Sequence, residues 1–148
     1  MVRPRLPVSG TDRPSEGQHI IRIRSALPLQ IAIALAGLVP VGAGAAGVWM
    51  GPAMLDHSLR VDAVDSHFRY MSGLLLGIGL LFWSFIPGIA VRGREVRLLT
   101  VVVVTGGLAR ALGVALHDPV TPVTCFALLM ELGVTPLICW WQARVAGT

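Results

Sequence analysis

The sequence predicts an all-α integral membrane protein, a four-helix bundle whose helices run antiparallel. The first reason is composition, because 54% of the 148 residues are hydrophobic and only 14% are charged, whereas roughly a quarter of the residues in soluble domains are charged. The second is spacing: four apolar runs, each near the ~20 residues that a membrane-spanning helix needs, are separated by short polar segments. A soluble core of this composition would leave too little polar surface to cover it.

The first 26 residues are predicted to form a disordered cytoplasmic tail, rich in arginine and proline. A segment with so few apolar residues cannot bury enough surface to fold on its own. At its end, Arg22 and Arg24 alternate with isoleucines, a pattern that indicates a segment lying at the membrane surface. Each arginine adds only about 1 kcal/mol near an anionic leaflet, so an orientation signal is favoured over a lipid anchor.

The first span is predicted at residues 27–50, and it combines Pro40 with small residues at helical spacing. Proline is tolerated in a membrane helix where neighbours or water satisfy the freed carbonyl. Small residues let a second helix approach closely. A signal peptide cleaved near residues 43–45 is the alternative, but the long polar leader and the apolar run that continues to Met50 favour a permanent span.

Three further spans follow within a single domain that covers residues 27–144. They are predicted at residues 66–90, 98–116 and 119–141, with residues 145–148 as a short tail. The last span is predicted to begin at Asp118 and Pro119, because a carboxylate cap followed by proline is a favourable helix start. The second span holds Gly73 and Gly77, a GxxxG pair that supports close packing and leaves a homo-oligomer through glycine-rich faces open.

The arginines give the orientation, because cytoplasmic segments carry an excess of positive charge. All 12 basic residues are arginines. They collect in the N-terminal tail, between the second and third spans, and at the C-terminus, whereas the other two loops hold Arg60 alone. Both termini are therefore predicted to face the cytoplasm. The same distribution accounts for the net charge of +4 as a topology signal, so no nucleic-acid partner is predicted.

Two charged residues fall deep inside the predicted spans, Arg110 in the third and Glu131 in the fourth, whereas Arg69 lies just inside the second. Each ionised group costs about 2.5–3.5 kcal/mol at mid-bilayer, so both should face the bundle interior. Counted at about 1.5 Å per residue, each lies roughly 18 Å from one membrane face, and a short turn joins their helices. The sequence therefore predicts that Arg110 and Glu131 pair, with Gln142 close to the same helix face as Glu131.

Three more polar residues, Asp65, His67 and Arg69, are predicted at the outer mouth of the bundle. With Arg110 and Glu131 they are the candidates for ligand binding or proton handling, since intramembrane charges tend to be functional. In that hypothesis Glu131 titrates and Arg110 binds an anion or balances charge. The alternative is structural: the pair selects which helices meet, Asp65 caps a helix and His67 is interfacial. The sequence leaves both interpretations open.

No motif indicates catalysis, and the chain is not predicted to be an enzyme. The four histidines show no HxxxH spacing, and the one ExxH, Glu16 to His19, lies in the predicted tail, so no metal site is predicted. No GxSxG or Walker sequence is present. The glycines of residues 77–79 lie inside a span, so they predict no nucleotide site, and no cofactor is assigned.

Three features resemble one known family. They are the phrase DSHFRYMSGLLLGIGLLFW at residues 65–83, the later GGLAR at residues 106–110, and a fourth span in which Glu131 precedes Pro136 and a Trp/Gln end. Over about residues 27–144 they resemble the bacterial four-helix membrane family called domain of unknown function four-three-four-five (DUF4345). The resemblance implies a four-span membrane protein without an established activity. Its polar pattern corresponds here to Asp65, His67, Arg69, Arg110 and Glu131.

These observations give one leading hypothesis for function and two alternatives. The leading hypothesis is a small, non-enzymatic protein of the bacterial inner membrane that binds a lipid-like ligand or a partner helix beside the charged cluster. The first alternative is an oligomeric, proton-linked transporter of small solutes. The second is an accessory to quinone or other membrane redox chemistry. Membrane lipid is the expected partner in all three.

Overall fold

The computed structural model describes residues 16–54, 62–116 and 119–146, and the elements within these ranges are helices, without strands. Two short 3₁₀ turns, Gly51–Met54 and Ile86–Val91, follow the first and second helices. A π-helical turn, Leu129–Val134, joins the two parts of the fourth helix. The α-helices are α1 Glu16–Met50, α2 Asp62–Phe85, α3 Gly93–Ala115, α4 Pro122–Leu128 and α5 Thr135–Ala146.

Four segments are long and apolar enough to cross a membrane, which confirms the predicted all-α architecture of four helices. Between 6% and 22% of each segment is buried inside the protein, so large apolar side chains such as Leu35 and Leu112 point outward. Such a surface is stable against lipid and not against water. The four segments are Ala26–Met54, Val64–Val91, Gly93–Ala115 and Pro122–Ala146.

Two helices begin earlier than the predicted spans. α1 begins at Glu16, so the last part of the predicted tail is helical, while residues 1–15 lie outside the described residues. α3 begins at Gly93, before the predicted start at residue 98, and has Glu95 in its first turn. A carboxylate is favourable there because the N-terminal end of a helix carries a partial positive charge. The predicted polar loop at residues 91–97 is therefore mostly structured.

The predicted start of the fourth helix at Asp118 and Pro119 is wrong. The helix begins at Pro122, and the hydroxyl of the extended residue Thr121 accepts a hydrogen bond from the Thr124 backbone N–H at 3.1 Å. The cap has the expected chemistry, a side-chain oxygen followed by a proline, but Thr121 and Pro122 supply it and not Asp118 and Pro119. Asp118 itself lies outside the described residues.

α1 and α2 pack closely because glycines of α1 face α2. A Cβ atom added at Gly44 would lie 2.8 Å from the Cα atom of Leu76, and one at Gly47 would lie 2.7 Å from the Cβ atom of Ser72. The small residues of the first span thus admit a neighbouring helix, as predicted. Gly77 of the GxxxG pair has no described atom within 4 Å of an added Cβ, and an oligomer through that face stays a prediction.

The buried core lies at the end of the bundle where residues 26–33 of α1 and the beginning of α3 meet the end of α5, called here the closed end. Gln142 Nε2 donates a hydrogen bond to the Ile89 carbonyl at 2.9 Å, and Gln30 Nε2 donates to the Ile86 carbonyl at 2.9 Å. These amides satisfy carbonyls in a turn where Pro87 interrupts the helix. The buried side chains are Ala26, Leu29, Ile33, Ile89, Val96, Val145 and Gln142.

Candidate functional site

Arg69 caps the C-terminal end of α1. Its Nε and Nη2 atoms bond the two carboxylate oxygens of Asp65 at 2.8 and 3.1 Å. Its Nη1 atom donates to the carbonyl oxygens of Val48 at 2.6 Å and Trp49 at 3.0 Å. The last carbonyls of a helix have no partner within it, so the guanidinium supplies donors that α1 lacks. All three guanidinium nitrogens of Arg69 are therefore bonded within the protein.

The chain turns away from α1 at Gly51, whose φ of 63° lies in the left-handed region. Glycine adopts this conformation without a steric penalty and is common directly after a helix. A side chain here would also collide with the ion pair, because an added Cβ would lie 2.7 Å from Arg69 Nη2. Gly51 was not identified from the sequence, although a glycine directly after an apolar span is a recognisable helix-end signal.

Arg110 on α3 and Glu131 in the π-helical turn form an ion pair with two hydrogen bonds. Arg110 Nε donates to Glu131 Oε2 at 3.0 Å, and Nη2 donates to Oε1 at 2.9 Å. The predicted pairing is confirmed. Gly107 permits it, because a Cβ added there would lie 2.8 Å from the Cβ atom of Glu131. The Glu131 side chain is 18% exposed and that of Arg110 is 45% exposed, so the carboxylate is the more enclosed partner.

The Arg110 guanidinium keeps one nitrogen without an acceptor among the residues that the structure describes. Glu131 engages Nε and Nη2, and Nη1 donates to no acceptor in the described ranges of the chain. A guanidinium carries five N–H donors, so the two on Nη1 can bond a further acceptor. Arg69 has no comparable spare nitrogen, which separates the two arginines chemically.

The pair lies nearer to one end of the bundle than predicted. Arg110 is about five residues, or roughly 7 Å, from the C-terminal end of α3. Glu131 is about nine residues, or roughly 14 Å, from the beginning of α4. The depths of about 18 Å below the membrane faces stay predictions, but the helix limits differ: α3 begins five residues before, and α4 three residues after, the predicted span limits. We call this half of the bundle, opposite the closed end, the α3–α4 end.

The π-helical turn that carries Glu131 has a physical cause in Pro136. A proline ring collides with the carbonyl four residues earlier and cannot donate a hydrogen bond, and a wider turn relieves both problems. The Thr135 hydroxyl donates to the Met130 carbonyl at 2.8 Å, so the altered backbone stays bonded. Single π turns inside α-helices are frequent at functional sites. The sequence analysis found Glu131 without predicting this geometry.

A cavity of about 400 Å³ lies among the four helices. Arg110 and Glu131 are the charged residues of its lining, and Thr135 adds a hydroxyl group. The volume falls within the range of roughly 300–1,000 Å³ that is typical of small-molecule sites. Each helix also contributes apolar side chains to the walls, among them Ile33, Phe82, Val102 and Phe126.

The five candidate residues belong to two separate places. Arg110 and Glu131 line the cavity, whereas Asp65 and Arg69 cap α1 and do not line it. His67 is exposed near the beginning of α2 and does not line the cavity either. Asp65 and Arg69 of the predicted outer mouth thus form a structural cap, and the ligand or proton role of any of the five stays a prediction. Among the described residues, no group of His, Cys, Asp or Glu side chains could hold a metal ion.

Comparison with known proteins gives one match. The family model for a domain of unknown function, DUF4345, matches residues 28–142. The match extends from the first membrane segment into α5 and includes both ion pairs. No curated protein and no solved structure matches the chain.

Proposed function

We propose that this chain, which belongs to the DUF4345 family, binds a lipid-like ligand inside a multi-pass membrane bundle. The family match confirms the resemblance seen in the sequence, and the family is described as a domain of unknown function. The proposal rests on one observation: an apolar cavity among the helices carries an ion pair with an unused hydrogen-bond donor.

The physics of a membrane explains why that donor matters. Lipid tails are as apolar as the cavity walls, so moving a tail from the bilayer into the cavity gains little hydrophobic free energy. Recognition then depends on packing and on polar contacts. A hydrogen bond to a charged group contributes about 1.5–3 kcal/mol, and water competes weakly inside an apolar cavity. The unused Nη1 of Arg110 is the group that could supply this contact.

We also propose that the protein lies in a bacterial inner membrane with both termini in the cytoplasm. The support is the distribution of arginines at the closed end, where Arg94 and Arg97 lie in the first turns of α3 and Arg144 in the last turn of α5. The Arg144 guanidinium also stacks over the Trp140 ring at 4.5 Å, a pairing typical of the membrane interface. Reporter fusions at each terminus would test the orientation.

The apolar lining favours ligand binding over proton-linked transport. A path for protons or solutes across a membrane needs polar side chains or water along its length. In the cavity, the polar side chains are limited to Arg110, Glu131 and Thr135, which lie within a few helical turns of one another. An accessory role in quinone chemistry remains compatible, because a quinone is itself a lipid-like ligand.

The test uses a variant that fills the cavity. Gly106 lines the cavity, and a Cβ added there meets no described atom within 4 Å, so Gly106→Leu should occupy the cavity without a clash. Gly42 on α1 also faces open space but does not line the cavity. Gly42→Leu is therefore the matched control. Each protein is extracted from membranes in polymer-bounded lipid discs without detergent, and its lipids are analysed by mass spectrometry.

The wild-type protein and Gly42→Leu should both carry an amphiphile that is enriched relative to the surrounding lipid. Gly106→Leu should lose that enrichment by about tenfold or more, equivalent to at least ~1.4 kcal/mol of binding free energy. Thermal unfolding of the three proteins shows whether they are equally folded. Identical lipid profiles in three folded proteins would refute the proposal.

A further inference from the structure

We infer that the ligand is a single-chain amphiphile with an uncharged head group that bears an oxygen acceptor. The inference rests on the proposed binding of a lipid-like ligand in the cavity and specifies its chemical class. The head group lies at Arg110, and the tail extends along the apolar walls. Three features carry it: the shape of the cavity, the position of its polar groups and their net charge.

The cavity is long. Along the fourth helix its lining extends from Val123 to Ile138, which corresponds to about 22 Å of helix. Its volume of about 400 Å³ is near the lower end of the roughly 300–1,000 Å³ that is typical of small-molecule sites. An extended tail can lie along this length, and the small volume favours one chain over two.

The polar groups lie near the middle of this cavity, with apolar walls on both sides. Along the fourth helix, Glu131 lies midway between Val123 and Ile138, and Thr135 lies between Glu131 and Ile138. A ligand with an oxygen acceptor at Arg110 and its apolar part along the walls would match the polarity of this lining. A polar group placed against the apolar walls instead would be buried without a hydrogen-bond partner, at a cost of several kcal/mol.

The charge of the site selects an uncharged head group. The Glu131 carboxylate already neutralises the Arg110 guanidinium through two hydrogen bonds. An anionic head group would leave one uncompensated negative charge in an apolar cavity, where unpaired charge is strongly disfavoured. A cationic head group would be repelled by the guanidinium and would offer no acceptor to its remaining N–H donors. A carbonyl, ester or hydroxyl oxygen accepts from Nη1 without adding charge.

Two kinds of membrane molecule share this chemistry. A monoacylglycerol has one chain and neutral ester and hydroxyl oxygens, and a quinone with a single tail has neutral carbonyl oxygens. Both would place an acceptor at Arg110 and one chain in the cavity. The common class is what the site predicts, and the experiment distinguishes the two sources.

The experiment measures retention of isotope-labelled probes by the full chain in phospholipid nanodiscs. Nanodiscs are needed because a maltoside detergent is itself a single-chain, uncharged amphiphile. Three oleoyl probes differ in one property each: 1-monoolein is the expected ligand type, oleoyl-lysophosphatidylglycerol adds a negative charge, and diolein adds a second chain. A decyl-benzoquinone is the fourth probe, and empty nanodiscs give the background.

Monoolein or the decyl-benzoquinone should be retained about tenfold more than the charged and two-chain probes. The probe of these two that is retained identifies the source. Gly106→Leu should abolish that retention, and Gly42→Leu should leave it unchanged. Arg110→Lys keeps a cation beside Glu131 but lacks the planar fork, so it should weaken retention several-fold while the protein stays folded.

Two results would overturn the inference in different ways. If the charged probe or diolein is retained as strongly, and Gly106→Leu removes that retention, the cavity binds lipid but not the class inferred here. If no probe exceeds the background of empty nanodiscs, or if retention is the same in folded Gly106→Leu, ligand binding in the cavity is itself wrong. The first result leaves the proposed function standing, and the second removes both.

Discussion

Arg69–Asp65 and Arg110–Glu131 are both arginine–carboxylate pairs with two hydrogen bonds, and they differ in what surrounds them. The first joins residues four apart on one helix, and Arg69 also donates to the Val48 and Trp49 carbonyls. The second joins two helices and lines a cavity, with Arg110 Nη1 not bonded to the described chain. The difference indicates that an arginine's role depends on how many of its donors the protein itself satisfies.

The largest effect is expected from removing one partner of the cavity pair. Glu131→Met leaves the Arg110 guanidinium uncompensated among apolar groups, and Arg110→Met does the same to the carboxylate. Each should lower the free energy of unfolding by about 2.5–3.5 kcal/mol. The double variant removes both charges and should recover most of that loss. Reversible unfolding in mixed micelles measures all three, and strictly additive losses would show that the residues are not coupled.

Arg69→Met should have the next largest effect, a lower free energy of unfolding, because it removes donors from the end of α1 and one hydrogen-bonding partner of Asp65. Retention of 1-monoolein should stay at the wild-type level, since Arg69 does not line the cavity. Arg97→Met is the control, because Arg97 is exposed and donates only to the Gly93 carbonyl of its own helix. If Arg69→Met folds but no longer retains 1-monoolein, the Arg69–Asp65 cap and the cavity are functionally coupled.

Gly51→Ala should lower the free energy of unfolding by about 1–2 kcal/mol, because alanine is strained at a positive φ and its Cβ would approach Arg69 Nη2. Gly42→Ala tests the same substitution inside α1, where the added Cβ meets open space. That change should be neutral or stabilising, since alanine favours a helix over glycine by about 1 kcal/mol. Equal effects of the two changes would remove the structural argument for Gly51.

The smallest effect is expected from Asp65→Asn. The amide oxygen can still accept from Arg69, and the Val48 and Trp49 carbonyls still hold the guanidinium. A four-residue ion pair on an accessible helix contributes about 0.3–0.5 kcal/mol, so the loss of unfolding free energy should be of that size. Glu131→Gln, measured beside it, should cost several times more. Comparable losses at the two sites would mean that burial and cavity position do not distinguish the pairs.

Hydropathy predicts the four membrane segments because lipid imposes both a length and an apolar composition on a spanning helix. Counting charges within those segments also predicts the Arg110–Glu131 pair. The same counting cannot predict their depth, since a few residues of error at a helix end displace every position by several ångströms. The Thr121 cap shows this directly: the expected chemistry occurs, but one helical turn later.

The role of Arg69 could not be predicted in the same way. Its spacing from Asp65 is visible in the sequence and fits a pair on one helix face. Its other partners are carbonyls of α1, and their position depends on how closely Gly44 and Gly47 let the two helices approach. The cavity also depends on the arrangement of all four helices, so no local pattern predicts it.

The π-helical turn divides the fourth helix into two parts with an angular offset between them. An α-helix rotates by about 100° per residue, and a turn that holds roughly one extra residue shifts the phase of everything after it by about that angle. With this turn in place, Thr135 and Ile138 line the cavity together with Glu131, and Gln142 continues the same line to Ile89 at the closed end. A chain one residue shorter in this turn would rotate Gln142 away from Ile89, although neither residue had changed.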